Sequence, residues 1–166
     1  MSEVSDPILL PKDWYNVEIS EDPEILPNKV LKEILDEKGI PFDEVTEEIL
    51  SQLTSENEKA GCNLVVKMKT EHPDPRLSGF SLTMWLSFPT PADNNKFYRG
   101  QSQADSKQQR INTFVKMFGG TVNSDGTFEV YHGMKGKIHV VLGDNPESGE
   151  PNNSVDTFAG FMKYEG

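Results

Sequence analysis

The 166-residue chain has a single cysteine, Cys62, so no disulfide can form within it, and it reads as intracellular. Its three histidines, His72, His132 and His139, show no C-x-x-C or H-x-x-x-H spacing, so neither a zinc site nor any other cofactor is expected. No apolar run approaches the roughly 20 residues that span a bilayer. The opening Met1-Ser2-Glu3-Val4-Ser5-Asp6 lacks the basic-then-apolar layout of a signal peptide. Membrane and secretory roles are therefore not expected. No Ser/His/Asp or Cys/His arrangement is legible, and Asp93, Asp105, Asp125 and Asp144 stand in turn or cap contexts, so the chain does not read as an enzyme. A basic excess is missing too: 27 acids against 16 bases give a net charge of -11.

That total is unevenly spread. Residues 1–60 hold 16 acids and five bases, whereas residues 61–166 hold 11 of each. Electrostatics reach only about 10 Å at ordinary salt, so a neutral region with a locally basic face can still meet phosphate. The hydrophobic fraction of 35% and mean hydropathy of -0.56 fit one domain with a small core and long polar loops.

The most informative stretch is Cys62 to Phe88. In Asn63–Lys69, Leu64, Val66 and Met68 alternate with Asn63, Val65, Lys67 and Lys69. In Phe80–Phe88, Phe80, Leu82, Met84, Leu86 and Phe88 alternate with Ser81, Thr83, Trp85 and Ser87. Strand side chains point to opposite faces with period two, so each segment has one apolar and one mostly polar face. The polar faces carry Lys67, Lys69 and Trp85. An indole beside cations on the wet side of a sheet suits unpaired bases, since stacking is worth roughly 1–3 kcal/mol per base and lysine meets the phosphate. The alternative is that Trp85 packs under the 20–60 insertion or under a partner subunit.

Residues 1–11 are expected to be a loose leader and Trp14–Ile19 a first strand, closed by Ser20-Glu21-Asp22-Pro23. Residues 20–60 form an acidic helical insertion. Asn28 caps one helix with Val30, Leu31, Ile34 and Leu35 inward and Gly39 stopping it; a second begins at Asp43 or Thr46. Its exposed face, with Glu33, Asp36, Glu37, Glu44, Glu47 and Glu48, is a solvated hairpin, a docking surface for a basic partner, or a decoy for the basic face. Glu71–Ser78 is a loop with Arg76 at its tip. Ala92–Ala104 is a polar loop holding Lys96-Phe97-Tyr98-Arg99-Gly100, in which Phe97 is either a stacking ring or a core anchor. A helix capped at Asp105 or Ser106 runs to Phe118 with Ile111, Phe114, Val115 and Phe118 inward. Thr127–His132 is a short strand or an irregular turn. Lys137–Leu142 is a strand, Gly143–Asn153 a loop, and Ser154–Lys163 a last continuous strand.

Strand, strand, strand, helix, strand, strand is the order of the five-stranded oligonucleotide-binding (OB) barrel, whose helix lies between strands three and four. The expected fold is therefore mainly β: a single OB-like domain over 1–166, with the acidic helices inserted between strands one and two. The wording agrees. Leu10-Pro11-Lys12-Asp13-Trp14-Tyr15 resembles the Leu-Pro-x-Gly-Trp-Tyr opening of a family of bacteriophage single-stranded DNA-binding proteins. The resemblance continues in Gly61-Cys62-Asn63-Leu64-Val65-Val66, the helix before Gly119, Gly136-Lys137, and Glu150-Pro151-Asn152-Asn153. It covers about 120 residues in short patches. The acidic insertion and Asp13 in place of glycine depart from the pattern. The chain ends Met162-Lys163-Tyr164-Glu165-Gly166 without the acidic tail many single-strand binders use to recruit partners. The resemblance implies a sequence-tolerant binder of single-stranded DNA, acting in phage replication or recombination in the host cytoplasm.

On that reading Trp85 stacks bases, with Tyr98 or Tyr131 as further platforms. Lys67, Lys69, Arg76, Lys96, Arg99, Lys135 and Lys137 meet phosphates. The competing reading is an interaction module whose acidic 20–60 segment docks on a replication or recombination protein.

Overall fold

Period-two stretches become strands and period-3.6 stretches become helices in the computed structural model, which describes residues 9–144 and 147–166. In chain order these are β1 (Asp13–Ile19), β2 (Glu24–Pro27), α1 (Lys29–Lys38), α2 (Glu47–Glu56), β3 (Cys62–Glu71), β4 (Ser81–Ser87), β5 (Phe97–Tyr98), β6 (Gln101–Ser102), α3 (Gln103–Met117), β7 (Thr121–Val122), β8 (Phe128–Glu129), β9 (Lys135–Asp144), β10 (Pro151–Val155) and β11 (Phe161–Lys163). The described residues are thus mainly β with three α-helices. The hydrogen-bonded strand order is β10-β9-β1-β3-β2, with β11 also on β9 and β4 also on β3. Among the described residues no helix is long and apolar enough to cross a membrane.

The chain divides into two compact units. The first comprises Met1–Asp22, Val66–Met84 and Thr113–Gly166. In it β1 pairs antiparallel with β3, from Asn16↔Glu71 to Ile19↔Met68, and with β9, from Asp13↔Val140 to Glu18↔Lys135. β10 and β11 share the other edge of β9. The inward residues Val17, Ile19, Val66, Met68, Met84, Ile138 and Val140 are all buried, as alternation requires. Three rings close this core: Phe114 lies 4.7 Å from Phe118 and 5.5 Å from Phe161, centroid to centroid. A Cβ at Gly136 would collide with the Phe118 ring, so glycine there lets the ring lie against β9.

The second unit comprises Pro23–Val65 and Trp85–Asn112. Here β2 pairs with the start of β3, from Glu24↔Val65 to Pro27↔Cys62. Asn28 caps α1 by accepting from the Leu31 N–H at 2.8 Å, and Gly39 ends it in the left-handed region at φ 69°. Thr46 caps α2 in the same way through the Ile49 N–H. Leu31, Leu35, Leu53 and Ala60 form a buried cluster, with Ile34, Val45, Ile49 and Leu50 packed around it. The two short helices are therefore held by an apolar seam of their own. Isolated ten-residue helices would be marginal in water.

Several expectations need correction. The leader is not loose at its end: the Leu10 N–H donates to Asn153 Oδ1 and Asn153 Nδ2 donates back to the Leu10 carbonyl, both at 2.8 Å, and Leu10 is fully buried. Residues 1–8 of that leader, and 145–146 of the expected Gly143–Asn153 loop, lie outside the described residues. The strand β2 was not expected. The last strand is broken: Asp156 Oδ1 accepts from the Phe158 and Ala159 N–H groups, pulling them out of the ladder into a single 3-10 turn (Thr157–Ala159), and Gly160 at φ 86° resumes as β11. That break settles the faces left open in the sequence: Phe158 is exposed, Phe161 is buried, and the Tyr164 hydroxyl donates to Glu71. Thr127–His132 contributes the short strand β8, which pairs with β7. The helix α3 begins at Gln103, two residues before the expected cap.

Candidate nucleic-acid interface

The register of β3 against β4 places the candidate side chains. The Thr70 N–H donates to the Phe80 carbonyl at 2.9 Å and the Phe88 N–H to the Cys62 carbonyl at 3.0 Å, which brackets the pair without a net bulge. Lys69 then stands across from Ser81 and Lys67 across from Thr83 in the first unit. In the second, Trp85 stands across from Val65 and Ser87 across from Asn63. Leu82, Met84 and Leu86 are buried while Ser81, Thr83, Trp85 and Ser87 face out.

Within the second unit Trp85 is 56% exposed. Its cross-strand neighbour Val65 is buried although it belongs to the outer face by parity. Directly opposed side chains stand about 5 Å apart, so the indole starts beside the valine and remains more than half open. Trp85 also lines a cleft of ≈ 400 Å³ with Pro27, Leu35, Ile40, Pro41 and Phe42, and with Lys32 and Asp36 at its polar side. The insertion flanks the indole and does not cover it.

The same unit presents a tight hairpin, β5 and β6, whose turn residues Arg99 (φ 50°) and Gly100 (φ 80°) are both left-handed. Phe97 and Tyr98 on it are 68% and 69% exposed, so Phe97 is not a core anchor. The Arg99 guanidinium lies 5.2 Å from the Tyr98 ring centroid. Lys96 precedes the hairpin and reaches a polar pocket of ≈ 250 Å³ that Lys59, Asn63, Ser87, Asp93 and Lys107 also line. Lys59 and Lys107 were not singled out in the sequence, because the pocket is assembled from segments far apart in the chain.

Asp93 is the one buried carboxylate of that pocket, accepting from the Thr90 N–H, the Thr90 hydroxyl and Lys107 Nζ at 2.8, 3.1 and 2.9 Å. Burial works to raise its pKa, but the bonds from Lys107 and Thr90 outweigh it and the group sits below the ordinary value. A carboxylate depressed in the folded state adds stability that is present above its unfolded pKa, about 3.9, and is lost as pH falls through the folded value. The stability gap between the native protein and Asp93→Asn, measured by urea unfolding, should therefore shrink as pH drops from about 6 to about 3. A gap independent of pH would mean the carboxylate is not held ionised by Lys107.

In the first unit the candidate cations are mostly claimed by carboxylates. Lys67 pairs with Glu21 at 3.4 Å and Lys135 with Glu71 at 2.8 Å. Lys137, with only 17% of its side chain exposed, pairs with Glu165 at 3.0 Å. Arg76 folds back on Asp74 through two bonds of 3.2 and 2.9 Å, which raise its own pKa and lower that of the aspartate. The bonds from Lys135 and Tyr164 hold Glu71 below its usual range. Lys69 forms no ion pair among the described residues and, with Lys67, Ser81 and Thr83, lines a shallow polar hollow of ≈ 220 Å³. Tyr131 is half-exposed, its hydroxyl 3.4 Å from Glu129. Of the ten candidate residues, then, Trp85, Lys96, Tyr98 and Arg99 fall in one unit and the other six in the other.

Comparison with protein-family models, with curated proteins and with solved structures finds no match.

Proposed function

We propose that the chain is an OB-type single-stranded DNA-binding protein that stacks bases on Trp85 and meets the backbone with a small set of uncommitted cations. The observation that carries this reading is the indole of Trp85, more than half open on the outer face of β4. A large aromatic left on a wet strand face, with small hydroxyl side chains on either side of it, offers a π-face that any base can use. The long strands agree with an OB order, α3 lying between β4 and β9. The sequence patches that resemble phage single-strand binders point the same way, towards replication or recombination.

The charge state sets how that binding should behave. In the unit that carries Trp85, Lys96 and Arg99 form no ion pair among the described residues, so about two phosphates can be met there without first breaking a salt bridge. Each contact contributes about -0.7 to the slope of log K against log salt for a single strand, so these two alone should give a slope of about -1.4. Titration with an oligo-dT strand should quench tryptophan emission at low salt and weaken gently with added salt. Unchanged emission together with unchanged electrophoretic mobility at low salt would remove the proposal. A second reading, docking of a basic protein on the insertion, is favoured by the exposed Glu33, Asp36, Glu37, Asp43, Glu44, Glu47 and Glu48. The same titration separates the two, because that reading requires no response to DNA.

A further inference from the structure

We infer that the polar pocket beside Ser87 is a phosphate site, in which Lys59, Lys96 and Lys107 hold the phosphodiester next to a base stacked on Trp85. This rests on the single-strand reading and gives it a defined anchor.

Three lysines line a space of ≈ 250 Å³ with Asn63 and Ser87. The only carboxylate there, Asp93, already accepts three hydrogen bonds, one of them from Lys107. Gathering three like charges around a small hollow is unfavourable unless an anion joins them, and a chain of net charge -11 has no shortage of acids with which to neutralise them. Lys59 and Lys96 are instead left exposed and form no ion pair among the described residues. Hydroxyl and amide donors beside the ammonium groups complete a set suited to phosphate oxygens.

The backbone that carries these lysines is braced from several sides. Asn28 Nδ2 donates to the Lys59 carbonyl at 3.0 Å, the Asn28 N–H to the Gly61 carbonyl at 2.8 Å, and the Ala92 N–H to the Glu58 carbonyl at 3.0 Å. A Cβ at Gly61 would press on the Thr90 methyl, so glycine lets that segment close against the Thr90–Asp93 turn. A pocket set before its ligand arrives costs less ordering on binding. Ser87 follows Trp85 by two residues on the same strand face, about 7 Å along β4. A base over the indole therefore keeps its own backbone beside the pocket.

The test uses the full chain with Lys59→Gln and Lys96→Gln combined. Both side chains are exposed, so the thermal midpoint should be unchanged. Two strands are titrated by anisotropy across a salt series: oligo-dT, and an abasic deoxyribose-phosphate strand of the same length. For both, the double variant should have a log K against log salt slope shallower by about 0.7, the share of the one phosphate that the two lysines hold. An unchanged slope on oligo-dT, with tryptophan quenching intact, overturns the phosphate site and leaves stacking on Trp85 standing. Equal binding of both strands, still lowered by the double variant, supports the pocket and removes the stacking reading. Failure to bind either strand removes both. Inorganic pyrophosphate should displace the strand only in large excess; displacement at stoichiometric concentration would assign the pocket to a free diphosphate instead.

Discussion

Trp85→Ala should weaken oligo-dT binding by about 1–3 kcal/mol, roughly 5- to 150-fold, with little change in stability. The substitution removes the indole at the stacking face and leaves Trp14, which packs against the His139 ring, as the other tryptophan, so binding is read from the anisotropy of a labelled strand. The indole is 56% exposed on the outer face of β4. Losing it takes one wall from the open cleft that it lines with Leu35, Ile40 and Phe42. That change belongs among surface substitutions, which usually stay within about 0.5 kcal/mol. Trp85→Phe should recover part of the affinity, because a smaller ring still stacks. Two results would end the assignment: an affinity unchanged by the alanine, or a collapse of the thermal midpoint, which would make Trp85 a packing residue.

The largest effect on stability is expected from Phe114→Ala. Phe114 has no exposed surface and meets two other rings, Phe118 tilted at 49° and Phe161 edge-on at 62°. Truncating a buried phenylalanine typically costs about 3–5 kcal/mol in transfer and cavity terms. The interlocked rings place this site at the upper end, because edge-on pairs add about 0.5–1.5 kcal/mol beyond their area. Against a total stability of about 5–15 kcal/mol this is a large fraction. For a chain of this length the midpoint should fall by about 6–20 °C. Chemical denaturation followed by circular dichroism measures it. A loss below about 1 kcal/mol would show that the three rings are not the centre of the first unit's core.

Much of this architecture could be read from residue order. The alternation in Asn63–Lys69 and Phe80–Phe88 places Leu64, Val66, Met68, Leu82, Met84 and Leu86 inward, and each is buried. Asn28 and Gly39 mark both ends of α1 because capping is a local event between neighbours. Where side chains act over distance, the sequence is silent. Glu24–Pro27 is too short, and too closely bounded by Pro23 and Pro27, to register as a strand until β3 supplies its partner. The break at Asp156 depends on a carboxylate bonding to backbone two and three residues on, which alternation cannot express. The cations show the same limit most clearly. Lys67, Lys135 and Lys137 are visible as charges, but Glu21, Glu71 and Glu165, which hold them, are far off in sequence. The pocket of Lys59, Lys96 and Lys107 appears only when two loops meet the first turns of α3.

The paired amide bonds between Leu10 and Asn153 carry a consequence for how the protein ages. Asparagine there gives one hydrogen bond to, and takes one from, the backbone of the same residue. Its acid analogue, of nearly the same shape, could still accept from the Leu10 N–H but would turn a second oxygen towards the Leu10 carbonyl. Slow deamidation in a stored sample would therefore convert a clasp into a repulsion, and the lead-in to β1 would come unfastened while the core behind it stayed whole.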